Sequence, residues 1–166
     1  MAIDAMLSAT VDAGASLEAD ARAATYAAGH ETLVDSRVDG ICEALPDLRY
    51  DEALVLGAEA ALTRKLARRC ERVGIARGAP SRLPEAAFDL VIACDVAGAP
   101  AQVRAALAES LVASMRQGAH LVVATWTDDS GADDAAADFI RLAGEALAPI
   151  SRRRTPYFRL DVLERV

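Results

Sequence analysis

Short, nearly unbroken apolar runs constrain this chain more than any other feature. Ala53-Leu54-Val55-Leu56, Phe88 to Cys94 and Ala119 to Trp126 lack the polar alternation of a half-solvated strand. Strands of that kind are buried on both faces, which is the habit of parallel sheets covered by helices. Helical periods separate them. Leu33, Val34, Val38, Ile41 and Leu45 share one face of a stretch closed by Pro46, and Leu62, Leu66 and Cys70 point one way from a helix over Ala60 to Arg72. Further helices are predicted over 101–115 and 135–147, with a stop at Gln117-Gly118 before the strand from Ala119. Val73 to Ala76 is another short strand candidate, and Ile150 to Arg165 reads as two strands around Thr155-Pro156. The Ala-rich residues 2–28 read as one broken helix or two short ones, interrupted at Gly14. The pattern predicts an α/β fold with a doubly wound, mostly parallel sheet and a C-terminal antiparallel strand pair. One domain over 1–166 is expected, with 1–48 a helical segment packed on it.

Composition excludes several classes. With 53% hydrophobic residues, only 10 Gly and 6 Pro, the chain is neither disordered nor fibrous. A net charge of −7, carried mostly by the first 50 residues, leaves no basic excess for counterion release, so no nucleic-acid partner is expected. No apolar run approaches the ~18 residues of a membrane span, and acids stand near the start where a signal peptide is basic. No membrane partner is expected, and the localisation expected is cytoplasmic. Cys42, Cys70 and Cys94 lie apart without metal-ligand spacing and read as buried thiols.

Sheets of this architecture bind ligands outside the carboxyl ends of their strands, which directs attention to the turn after Leu56. It reads Gly57-Ala58-Glu59-Ala60-Ala61. A single glycine also suits an ordinary strand-to-helix turn that needs its backbone angle. The wording of the surrounding segments goes further. Leu62-Thr63-Arg64-Lys65-Leu66-Ala67, Phe88-Asp89-Leu90-Val91 and Arg159-Leu160-Asp161-Val162 resemble class I S-adenosylmethionine-dependent methyltransferases, and most closely the small nodulation protein S-like branch. The similarity covers about Leu33 to Val166 and implies a Rossmann-like methyltransferase sheet.

Against that family the cofactor positions are degenerate. The resemblance places Gly57 and Glu59 in a loop that carries three glycines in the family, and Arg77 where the family carries an acid for the ribose hydroxyls. Arginine only donates hydrogen bonds and cannot replace that carboxylate. Only ten residues, 78–87, separate Arg77 from Phe88, where the family places a helix, a strand and the adenine loop. A helix and strand with their loops need about 20 residues, while ten extended residues span ~33 Å, enough to return directly to the next strand. Removing that strand leaves its predecessor at the sheet edge. Asp95 falls where the resembling enzymes carry an acid facing the active site, so it is the catalytic candidate, able to orient an amine or hydroxyl. An Asp there also caps turns.

The remaining candidates have structural readings beside functional ones. His30 sits between helices, His120 opens a strand, and neither has a nucleophile nearby in sequence. Trp126 ends a strand at the expected ligand rim, where rim packing is the ordinary role. Arg64, Lys65, Arg68, Arg69, Arg72 and the run Arg152-Arg153-Arg154 suit an anionic partner, or a solvated helix face and an edge-strand charge guard. The acidic loop Asp128 to Asp134 lacks the spacing of a calcium loop, and no metal is assigned.

Three functions are consistent with these residues. In the first, the fold has outlived S-adenosylmethionine binding, no cofactor is held, and the protein is a non-catalytic structural or regulatory partner in a bacterial small-molecule pathway. It would then form a homo-oligomer or join an active methyltransferase. The alternative is an active small-molecule methyltransferase holding S-adenosylmethionine at Gly57 and aligning the acceptor with Asp95. A second alternative is a repurposed pocket that binds or cyclises a small-molecule ligand without the cofactor.

Overall fold

A computed structural model describes residues 29–57, 60–76, 80, 82–96, 99–127 and 132–166. The chain divides into two compact units, Met1–Ser36 and Arg37–Val166. In the first, residues 29–36 are helical, and the expectation for 2–28 lies outside the described residues.

In the second unit, helix α1 covers 37–44. It is followed by β1 (Tyr50–Leu56), α2 (Ala60–Leu66), β2 (Cys70–Ala76), β3 (Phe88–Cys94), α3 (Ala101–Ser114), β4 (Met115–Trp126), α4 (Ala132–Ala143), β5 (Leu147–Arg154) and β6 (Phe158–Arg165). The sheet has six strands in the order β2-β1-β3-β4-β6-β5. β2, β1, β3 and β4 are parallel, and β6 runs antiparallel to both β4 and β5. The predicted fold class is the observed one.

Consecutive residues of the apolar strands feed two different cores. Ala53 and Val55 join Val38, Ile41, Leu62, Leu66, Phe158 and Leu160 on the α1/α2 face. Leu54 and Leu56 join Val91, Leu107, Leu111, Leu121 and Phe139 on the α3/α4 face. Every residue from Ala53 to Leu56 and from Leu90 to Cys94 is buried, which explains the missing polar alternation.

The sheet edge also falls where the shortened spacing places it. Among the described residues β2 and β5 end the sheet. Between β2 and β3 the described residues 80 and 82–87 hold only a turn at 85–86. That return is tied to the end of α3, whose Ala113 and Ser114 carbonyls accept the Ala86 and Ala87 amides at 3.0 and 2.8 Å.

Several boundaries differ from the sequence expectation. The helix expected to reach Arg72 stops at Leu66, because the Arg68 and Arg69 amides fold back onto the Lys65 and Leu66 carbonyls and Arg69 then accepts the Tyr50 amide at 2.9 Å. The Arg69 guanidinium holds this corner on the carbonyls of Cys42 and Pro46. Cys70 is therefore buried as the first residue of β2, and its helical spacing from Leu66 is coincidental. Gln117-Gly118 is no stop: β4 begins at Met115, and Gly118 (φ +74°) lies in the stretch where the pairing with β3 changes register. Helix α4 ends at Ala143, and a 3-10 turn over Gly144–Ala146 hands Leu147 to β5. The terminal strands therefore start earlier than Ile150, and Thr155 closes their turn by accepting the Tyr157 and Phe158 amides on Oγ1.

Candidate functional site

The carboxyl ends of β1, β3 and β4 lie side by side, as the parallel register requires. Gly57 leaves β1 with φ +67°, and a Cβ there would stand 2.8 Å from the Cys94 carbonyl oxygen. Glycine at 57 therefore serves the close approach of two strand ends as well as the turn. Beyond Cys94 the backbone of Asp95 takes φ +58°, and its amide donates to Ala124 O at 2.9 Å. A non-glycine residue in the left-handed region stores strain, which Asp tolerates better than most. Trp126 closes the rim from β4, with the Phe158 ring edge-on to it at 6.4 Å between centroids.

Into this corner α1 sends Arg37, a residue that sequence reasoning missed. Its side chain is 2% exposed, Nη1 donates to Asp95 Oδ1 at 2.7 Å, and the guanidinium carbon lies 4.0 Å from the centre of the Trp126 ring. Asp95 itself remains 44% exposed. A buried guanidinium is tolerated only with such compensation: a charge-assisted hydrogen bond on one side and an aromatic face on the other. A signal for it was present. Arg37 stands four residues after Leu33 and four before Ile41, an apolar-face position occupied by a cation.

Of the four predicted site residues, Gly57 and Asp95 are brought together through Cys94. Glu59 and Arg77 lie outside the described residues. Most of the basic groups singled out in the sequence find acids within the chain. Arg152 meets Asp161 at 2.5 Å, Arg153 meets Glu43 at 2.8 Å and Arg154 meets Asp133 at 2.6 Å. Lys65 pairs with Asp39 and Arg72 with Glu52. Lys65, Arg68 and Arg69 also line a cleft of about 400 Å³ with Asp39, Cys42 and Glu43, so that its charges are mixed.

The opposite end of the sheet holds a neutral cluster. His120, which lies inside β4 and not at its start, is buried with its ring 5.9 Å from that of Tyr50 and nearly perpendicular to it. Tyr50 Oη lies 3.4 Å from His120 Nδ1. Burial lowers the His120 pKa, outweighing Glu164 and Asp89, while burial pushes Tyr50 up to about 12 and the Cys70 thiol up to about 11. All three groups are thereby held uncharged near neutral pH. Among the described residues no group of three or more His, Cys, Asp or Glu is placed to hold a metal ion, and no helix is long and apolar enough to cross a membrane.

Comparison with solved structures places the fold among methyltransferases. The chain is similar to the N-methyltransferase NodS from Bradyrhizobium japonicum WM9 at 17% identity and a TM-score of 0.61, covering 79% of this chain and 94% of that one. It is similar to a Pseudomonas syringae protein at 16% identity and a TM-score of 0.67, covering 80% and 99%. A third match is the 1,6-didemethyltoxoflavin-N1-methyltransferase of Burkholderia thailandensis, solved with bound 1,6-didemethyltoxoflavin and S-adenosylhomocysteine, at 14% identity and a TM-score of 0.64, covering 86% and 84%. No protein-family model and no curated protein matches the sequence. At these identities the likeness is one of fold, and it agrees with the resemblance read from the sequence.

Proposed function

We propose that this protein uses a methyltransferase fold without transferring a methyl group and acts as a structural or regulatory partner. The observation that carries the reading is the buried Arg37, placed on Asp95 and Trp126 where such sheets receive their ligands. The acid that would align an acceptor is engaged by a guanidinium of the same chain. Glycine at 57 is used by the contact with Cys94, so its presence does not argue for a cofactor cradle. The described residues at these strand ends offer the adenosyl group no second carboxylate, and we derive no step through S-adenosylmethionine. The partner is a second copy or an active methyltransferase, and edge strand β2, with Ile75 52% exposed, is the surface that supports this part of the reading.

Calorimetric titration with S-adenosylmethionine and S-adenosylhomocysteine, together with native mass, tests the proposal. No binding heat in the micromolar range and a mass above the monomer are expected. Micromolar binding would overturn it in favour of an active small-molecule methyltransferase. The fold and the S-adenosylhomocysteine bound to the Burkholderia enzyme support that alternative.

A further inference from the structure

We propose that Asp95 and Trp126 form a receptor for an organic cation of the guanidinium or alkylammonium class, filled in this structure by Arg37 of the same chain. The inference rests on the reading above in one respect: the space outside β3 and β4 is not the seat of an adenosyl group.

The two halves of the contact differ in kind. Asp95 and Trp126 extend from adjacent parallel strands, and the Asp95 amide is fixed on Ala124 O at 2.9 Å. The backbone of both residues is thus positioned by the sheet. The cation comes from a helix, on a flexible side chain. Asp95 pays for its place with a left-handed backbone at φ +58°, a strain that persists where surrounding structure holds a side chain in a required direction. A carboxylate 2.7 Å from a guanidinium nitrogen and an indole face 4.0 Å from its carbon together select a planar or alkylated cation over a compact, strongly hydrated one. Because 44% of the Asp95 side chain is exposed while Arg37 is buried, solvent reaches the anionic half of the receptor. A free cation therefore has a route of approach and displaces Arg37 by competing for the same two groups.

The chain has one tryptophan, so Trp126 emission reads this site without a label. The full-length Arg37→Ala variant is titrated with methylguanidinium and tetramethylammonium below denaturing concentration, with urea as the neutral isostere. A saturable change in emission is expected with both cations, at concentrations at least about tenfold lower than the wild type needs. Urea should give none, and adding Asp95→Asn to the variant should abolish the response. A variant folded by circular dichroism that shows no saturable response, or that responds equally to urea, overturns the proposal. If Arg37→Ala does not fold, Asp95→Asn in the otherwise unchanged chain carries the test. Release of Arg37 should shift Trp126 emission, and unaltered emission overturns the receptor. Heat from S-adenosylmethionine with the wild type, beside an intact cation response in Arg37→Ala, would sink the functional reading and leave the receptor supported.

Discussion

The two ends of the sheet each bury a polar side chain against an aromatic ring, yet they do so by opposite means. At the carboxyl end Arg37 is a cation that needs Asp95 and Trp126, and the backbone around it is left-handed at Gly57 and Asp95. At the amino end His120 is held neutral beside Tyr50, and the pairing of β4 with β3 shifts register just before it, at the left-handed Gly118. The difference teaches where charge has been retained. Left-handed backbone occurs at both ends, at Ala86 and Gly118 as well as at Gly57 and Asp95, so it is the buried cation that sets the carboxyl end apart and argues for a ligand or partner there.

The comparison is broken most severely at Gly57. Gly57→Val adds a branched side chain at φ +67° with its Cβ 2.8 Å from a carbonyl oxygen, and a loss of about 3 kcal/mol is expected from urea unfolding. A loss below about 1 kcal/mol would show that the carboxyl end is not strained as described. Asp95→Asn is next. It keeps a residue that tolerates the left-handed region but removes the charge facing Arg37, and about 1–2 kcal/mol should be lost. Asp95→Ala should lose more, since alanine suits that backbone poorly, and equal losses would remove strain from the explanation.

At the amino end the expected effects are smaller and depend on pH. Burial holds the folded-state pKa of His120 below its ordinary 6.5, so the unfolded chain binds the proton more readily. Its contribution is fully present above pH 6.5 and is lost as pH falls from there through the lower folded value. Denaturation midpoints of the wild type should decline over that window, and those of His120→Gln should decline less. The groups facing the ring are Tyr50, Glu164 and Asp89, none of which is cationic. The smallest effect belongs to Tyr50→Phe, which removes a 3.4 Å contact and should cost no more than about 1 kcal/mol in the same assay.

Much of the fold was legible because burial writes itself into sequence. Phe88–Cys94 emerges with its predicted bounds, and Leu62 and Leu66 point inward as their spacing requires. The short span before Phe88 anticipated a sheet that, among the described residues, ends at β2. The misplaced boundaries occur where tertiary contacts override a local signal. Arg69 reaches across to the end of α1 and lets Cys70 start a strand, and Gly118 bends β4 where a glycine ordinarily ends a helix. The corner itself was legible only in part: Gly57 was read from the end of a strand and Asp95 from the family resemblance, whereas Arg37 lies 58 positions from its carboxylate, a pairing no local pattern encodes.

The carboxylate of Asp89, at the start of β3, accepts the amides of Asp51 and Glu52 at 2.7 and 2.9 Å. One side chain thus stands in for the carbonyls that a longer neighbouring strand would offer. It anchors the entry of β1 independently of whatever precedes Phe88, which makes the preceding connection free to shorten. A trimmed crossover can thus be accommodated in this sheet without fraying its central strand.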